Sequence, residues 1–274
     1  MRDLPHAVSE SNSSKNPNGQ HWADAAMRRL ELDHVLARIE KGDLAAVAQP
    51  IIELATGRAL AYEGLVRWPT GNAPSRAAEL FGAAREHGLT DQLERAARHA
   101  VLRGARTLPA DATLFINCAP AVVSDSALAG ELERDVRGAG LTPERVVVEL
   151  TEQAEEDGAT LGRGIELLRR RGFGIALDDF GIGASGLDRL MTLNPDWIKI
   201  DRSLVRGIDS DSPRARLIDA IARFASDMGV RVVGEGIETR GELRRVREAG
   251  IGFGQGFLLG RPGVISSPPR AVAA

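Results

Sequence analysis

Eight short runs of β-type sequence recur between residues 43 and 265, and helical stretches separate most of them. They read AVAQPIIEL, ALAYEGLVRW, TLFINCAP, RVVVELTE, GIALDDFG, WIKIDRSLV, RVVGEGIE and FGQGFLLG. Several stay apolar on both faces until their last residues, as strands of a sheet buried on both sides do. Alternation of strand and helix predicts a mostly parallel sheet with helices outside. Eight such strands in a 274-residue chain predict an α/β fold of the TIM-like (β/α)8 barrel class, which typically takes about 250 residues. The first two runs are joined only by Thr56-Gly57-Arg58. That is hairpin spacing, too short for a helical crossover, and it predicts one antiparallel strand near the N-terminus.

The flanks follow from the same reading. Residues 1–21 are polar, rich in Ser and Asn, and are expected to be a disordered leader. Residues 22–265 are expected to form one barrel domain. It opens with a helix over 22–41, on which Met27, Leu30, Val35, Leu36 and Ile39 recur at helical spacing. Residues 266–274 read as a flexible tail. Further helices are expected from about Asp91 to Arg103, after an N-cap at Ser212 followed by Pro213, and after the capping box Thr239-Arg240-Gly241-Glu242.

Composition narrows the function classes. Lys plus Arg total 35 against 38 Asp plus Glu, a net charge of −3, and aromatic residues are 4%. A DNA- or RNA-tracking surface needs a basic excess and stacking aromatics, so neither is expected. No apolar run approaches the roughly 20 residues that cross a bilayer, and no membrane association is expected. The single cysteine, Cys118, cannot form an internal disulfide, and MRDLPHAVSE has no apolar signal core. Both point to a cytoplasmic protein.

The chemistry lies at the strand ends. The second run carries Glu63 and Arg67, the third Asn117, the fourth Glu149 and Glu152. The fifth carries Asp178 and Asp179, the sixth Lys199 and Asp201, the seventh Glu235 and Glu238, and the eighth Gln255. In a barrel of this class the strand ends converge on one mouth, where active sites sit. Carboxylates gathered there without counter-ions would cost several kcal/mol each, roughly the penalty of unpaired buried charge. Lys199 and Arg67 supply only part of the compensation. The donors are all oxygen, and none of the five histidines falls on a strand end. Such a set suits Mg²⁺, Mn²⁺ or Ca²⁺ rather than Zn²⁺ or Cu²⁺. The adjacent pair Asp178-Asp179 can serve two ions, and two ions roughly 3.5–4 Å apart clamp both oxygens of a phosphoryl transfer. Taken singly, each residue has a plainer reading. Glu63 and Arg67 could form an intrastrand ion pair, Asp201 and Glu152 could support loops, Cys118 could simply be packed, and Trp68 and Trp197 could be core or rim. Another metal-dependent barrel lyase or phosphohydrolase would also satisfy the pattern.

The ordered series QPI, EGLVR, FIN, ELTE, DDFG, KID, EGIE, QGF and LLGRP resembles the EAL domain, the bacterial cyclic di-GMP phosphodiesterase module, over nearly all of residues 43–262. The resemblance implies hydrolysis of cyclic di-GMP to linear 5′-pGpG, with Mg²⁺ or Mn²⁺ as cofactor, two per site, and Ca²⁺ inhibitory. It implies Glu63, Asn117, Glu149 and Asp178 as ligands of one ion and Asp178, Asp179 and Glu235 around the other. Glu235 would be the general base, and Lys199 would orient the attacking water. Arg67 and Leu65 would meet substrate, Gln255 would support the site, and Glu152, Asp201 and Glu238 would brace its loops. A homodimer, and a regulatory protein partner, fit the family's habit. Three places depart from the family pattern. In the third run, Asn117-Cys118-Ala119 stands where the family usually has N-x-S. Gly64 replaces the usual Ala of the first motif. In FGIGASGL, Ile182, Ala184 and Gly186 replace Thr, Tyr and Ser. The altered loop keeps open a weakly active or inactive cyclic di-GMP receptor, or a protein-interaction module.

Overall fold

The computed structural model describes residues 33, 37, 44–70, 73–75, 77–151, 158–182 and 186–264. The leader, the tail, Glu152 and Ala184 lie outside the described residues, as does most of the expected first helix. Only Asp33 and Ala37 of that helix are described, and both are helical.

Among the described residues nine strands form one sheet: β1 (Ala45–Glu53), β2 (Ala59–Thr70), β3 (Ala73–Ser75), β4 (Thr113–Asn117), β5 (Val146–Thr151), β6 (Gly174–Phe180), β7 (Trp197–Ile200), β8 (Arg231–Gly234) and β9 (Phe253–Gly254). Their order is β1-β9-β8-β7-β6-β5-β4-β2-β3, and a further β1–β2 ladder closes the ring. β3 pairs only with β2, so eight strands make the barrel. β1 runs antiparallel to β2 and to β9, while β2 and β4–β9 run parallel. The reversal comes from the hairpin turn, where the Arg58 carbonyl accepts from Glu53 N–H and Gly57 holds φ 72°. That region of backbone space favours glycine.

The helices are α1 (Ala77–Glu86), α2 (Thr90–Gly104), α3 (Pro120–Ser124), α4 (Ser126–Gly138), α5 (Gly158–Arg170), α6 (Gly186–Leu193), α7 (Arg202–Val205), α8 (Ser212–Asp227) and α9 (Arg240–Glu248). The capping box of α9 forms as expected, with Thr239 and Glu242 bonded reciprocally. The cap of α8 differs from expectation. Asp211 accepts from Arg214 N–H, and Ser212 is the first helical residue. A carboxylate in that position also answers the partial positive charge of the helix start.

The buried apolar residues form three shells. Two lie between barrel and helices, as with Leu114, Ile116, Val146 and Val148 on one side and Ile198, Ile200, Val230 and Val232 on the other. The third fills the barrel itself with Ile51, Ala61, Phe115, Val147, Ala176, Trp197 and Val233, against which Phe253 packs. Trp197 is the centre of this plug, edge-on to Phe115 at 5.2 Å and to Phe253 at 4.8 Å. This settles its role as core. One residue comes from each of the eight strands, so the plug is a complete layer.

Candidate active site

Side chains alternate along a strand, so two residues beyond each member of the plug the chain faces the interior again. Those positions are Glu63, Asn117, Glu149, Asp178, Lys199, Glu235 and Gln255. On the reversed strand β1 the corresponding residue precedes the plug, and it is Gln49. The next layer of the same barrel is therefore polar on every strand. β4 and β5 set Asn117 opposite Glu149 in parallel register, and β1 and β2 set Gln49 opposite Glu63.

Lys199 is the hub. It is 1% exposed, and its Nζ lies 2.7 Å from Glu149 Oε1, 2.8 Å from Glu235 Oε1, 3.0 Å from Asp178 Oδ1 and 3.5 Å from Glu63 Oε1. Gln255 Nε2 donates to Glu63 Oε2 at 2.5 Å and to Gln49 Oε1 at 3.1 Å, and Gln49 Nε2 donates to the Gly260 carbonyl at 2.9 Å. This amide chain fixes one face of Glu63. Gln49 belongs to the layer, yet reading the C-terminal ends of strands misses it. Its signal was available as a polar residue inside an apolar run on the strand the hairpin reverses.

Asp179 would point away from the interior if β6 continued regularly. Instead the β6–β7 register shifts between Leu177 and Phe180, and Asp179 takes φ 56°. Asp is among the few residues that tolerate this conformation. The result is two overlapping groups whose ligand-capable oxygens lie within 4.8 Å of one another: Glu63, Glu149 and Asp178, and then Asp178, Asp179 and Glu235. Asp178 belongs to both.

The electrostatics are unbalanced. Burial, reinforced by Glu63 and Asp178 and opposed by Lys199, holds the Glu149 carboxyl well above the usual range. Burial likewise pushes Glu235 up to about 8, with Asp178 and Glu63 adding to it. Burial and then Asp178 and Asp201 raise Asp179. For Lys199 burial acts downward, but Glu149, Glu235, Glu63 and Asp178 outweigh it and hold the ammonium well above its ordinary value. One ammonium thus faces four carboxylates. Glu149 Oε2 is buried without a hydrogen-bond donor, and Glu149 Oε1 and Asp178 Oδ1 share the one Lys199 ammonium. Buried acceptors of this kind are rare in native structures unless something else completes them. The orphaned Glu149 Oε2, the excess of carboxylates over one ammonium and the oxygen-only donor set fit divalent cations of the hard type.

The remaining expected residues sort by position. Arg67 and Leu65 line a cleft of about 440 Å³ beside the mouth, together with Asn117 and Cys118. Arg67 Nη1 donates to the Val66 carbonyl at 3.0 Å, and Glu63 pairs with Lys199 instead. Cys118 is buried and free. Asp201 caps α7 by accepting from Ser203 N–H at 2.7 Å. Glu238 is exposed, and its backbone N–H donates to Glu242 Oε2 at 2.9 Å. Of the altered loop, Ile182 is exposed and Gly186 starts α6. Among the described residues one further group could hold a cation, His99, Glu131 and Asp135 on the outer helices. Its carboxylates are already engaged by Arg95 at 2.7 Å and His99 at 3.0 Å.

Comparison with known proteins agrees with this geometry. The EAL domain family matches residues 32–262. Cyclic di-GMP phosphodiesterase NbdA of Pseudomonas aeruginosa is 31% identical over 96% of this chain and 35% of its own length. The probable cyclic di-GMP phosphodiesterase PdeB of Escherichia coli is 29% identical over 85% of this chain and 45% of its own length. The chain therefore spans less than half the length of these curated relatives. Among solved structures, Klebsiella pneumoniae BlrP1 in a calcium and cyclic di-GMP complex superposes with a TM-score of 0.75 at 31% identity. The match covers 82% of this chain and 57% of that one. Its manganese complex gives 0.74 at 32% identity, over 81% and 57%. With the barrel, the polar layer and the matched residues in agreement, the chain belongs to the EAL domain family.

Proposed function

We propose that the chain is a metal-dependent phosphodiesterase that opens cyclic di-GMP to linear 5′-pGpG. The observation that carries this reading is the pair of overlapping carboxylate groups sharing Asp178, set against a single buried ammonium. Glu63, Asn117, Glu149 and Asp178 would hold one divalent ion and Asp178, Asp179 and Glu235 a second, Mg²⁺ or Mn²⁺. When bound, the two ions neutralise the carboxylates, draw in a scissile phosphate and lower the proton affinity of a water molecule.

The chain's own residues do the rest. Gln255, itself held by Gln49, fixes Glu63 in one rotamer, so the first group is rigid before ligand arrives. Lys199 Nζ, within 3.0 Å of three carboxylates, holds the attacking water in line with the phosphorus–3′-oxygen bond. Glu235 accepts that water's proton as the new P–O bond forms. The 3′-oxygen leaves on the opposite side and takes up a proton, so water is added across one P–O bond. Arg67 meets the phosphate from the rim, Leu65 packs on the nucleoside, and the cleft beside them receives one half of the ligand. Glu152, Asp201 and Glu238 brace the loops around it.

Two further readings accompany this one. Leu187 and Met191 are 58% and 68% exposed, one turn apart on α6, beside Ile182. Burial of that exposed apolar face against a second copy of the chain would form a homodimer. A single free thiol and the absence, among the described residues, of a helix long and apolar enough to cross a membrane support a cytoplasmic setting. The test is chromatography of cyclic di-GMP incubated with purified protein and Mg²⁺ or Mn²⁺. Accumulation of pGpG is expected. Tight nucleotide binding without product would replace the enzyme by a receptor, a reading the altered loop from Ile182 to Gly186 favours.

A further inference from the structure

Strand β2 and helix α2 approach each other closely just beyond Glu63. A Cβ placed on Gly64 would stand 2.2 Å from Val101 Cγ1 and 3.3 Å from its Cβ and Cγ2. Neither side can step away. Gly64 is tied into ladders with Ala48 on β1 and Ile116 on β4. Val101 is buried, and a β-branched side chain in a helix is confined almost entirely to one rotamer. A second close approach lies one turn further along α2, where a Cβ on Gly104 would stand 3.0 Å from that of Ala46 on β1. The helix rests on the barrel at two points, and at each point one partner is glycine.

α2 is also a wall of the cleft. Glu94, Ala97, Arg98 and Val101 face Gly64 to Arg67 on β2 and Asn117 to Pro120 at the end of β4 and just after it. We propose that Gly64 and Val101 are a matched, specificity-determining pair that sets the width of this cleft and with it the fit of the nucleotide half that enters. The methyls of Val101 occupy the volume that any side chain at position 64 would need. Alanine at 64, the residue the EAL resemblance leads one to expect, would therefore not improve this chain's site. It would drive α2 and its wall residues outward. The consequence for the nucleotide rests on the function proposed above; the packing pair does not.

A double-mutant cycle of wild type, Gly64→Ala, Val101→Ala and Gly64→Ala/Val101→Ala tests this with three readouts: melting, the rate at which Cys118 reacts with a small thiol reagent, and KM for cyclic di-GMP with Mn²⁺. Cys118 is the chain's sole cysteine and lines the same cleft. Cys118 is buried, which keeps a reagent from reaching it while the wall is in place. Gly64→Ala is expected to lower Tm by about 5 °C, the scale of an overpacked core position. It should speed labelling and raise KM, each about tenfold, and adding Val101→Ala should bring both back to within about twofold of wild type. Should Gly64→Ala alone be insoluble, recovery of soluble protein on adding Val101→Ala is the same result. Wild-type melting and labelling in Gly64→Ala, or a double variant no better than the single, would overturn the pair. An unchanged KM alongside faster labelling would overturn its part in specificity. A wild-type protein that neither binds nor cleaves cyclic di-GMP fails the function proposed above, and melting and labelling then still decide the pair.

Discussion

The two inner layers of this barrel come from the same eight strands, two residues apart, and they are opposites. The lower layer, Ile51 to Phe253, is apolar, interlocked through Trp197 and complete in itself. The upper layer gathers Glu63, Glu149, Asp178 and Glu235 on one lysine and leaves the buried Glu149 Oε2 without a donor. The lower layer spends its side chains on stability. The upper layer gives up stability in return for a site, and this pattern is expected where binding has to supply what folding lacks.

The contrast breaks most sharply under substitution. Asp178→Ala removes the residue shared by both carboxylate groups, and turnover is expected to fall by about a thousandfold or more, read as pGpG formed per minute. The same change should not destabilise the metal-free fold, because it relieves crowding of like charges. Phe115→Ala in the lower layer should do the reverse in kind. It should cost about 3–5 kcal/mol in urea unfolding, as truncation of a fully buried aromatic does. If Asp178→Ala unfolded the metal-free protein as readily as Phe115→Ala does, the two layers would not differ as described.

Ligand addition sharpens the same comparison. Mn²⁺ added to chelator-treated protein at a hundredfold excess over its dissociation constant is expected to stabilise the fold by about 2.7 kcal/mol, seen as a rise in Tm. Asp178→Ala should largely lose that rise, and Phe115→Ala should keep it. A wild-type Tm indifferent to Mn²⁺ and Mg²⁺ would remove the metal from the site.

The smallest effect is on pH. Glu235, pushed up to about 8 by burial, sits above the ordinary carboxylate value of 4.5. A carboxyl raised on folding favours the folded state while it is protonated in both states. That contribution is fully present below about 4.5 and is lost as pH rises through about 8. Melting of metal-free protein should therefore decline over this window, and Glu235→Gln should flatten the decline. Thermal scans at several pH values with chelator present would check it. A metal-free Tm that climbs from pH 5 to pH 8 would contradict the assignment.

Much of this was legible along the chain because strand alternation is local. The runs ELT, LDD, KID and EGIE show apolar residues giving way to charged ones within two positions, and the helical stretches between them are too regular to mistake. The expected cap at Ser212 was displaced by one residue to Asp211, since either side chain could accept the same N–H and only the turn geometry chooses. Gln49 was missed for a different reason. The mouth-facing half of an antiparallel strand is its beginning, and a search of strand ends looks in the wrong place.

The amino-acid order by itself determined that eight barrel strands would form, that one would be reversed, and that the seven others would each end in polar residues beyond apolar ones. Period-two alternation and hairpin length are properties of neighbouring residues, and they need no knowledge of the rest of the chain. Only the tertiary structure decided that Lys199 would be surrounded by carboxylates from four other strands. It alone turned Asp179 inward by a shift in register, and it alone made Gly64 a requirement of Val101 rather than a neutral departure. These are relations between residues distant in sequence, set by barrel closure and by how closely α2 can rest on it. Side-chain volume and charge acquire that meaning only when the strands are in register.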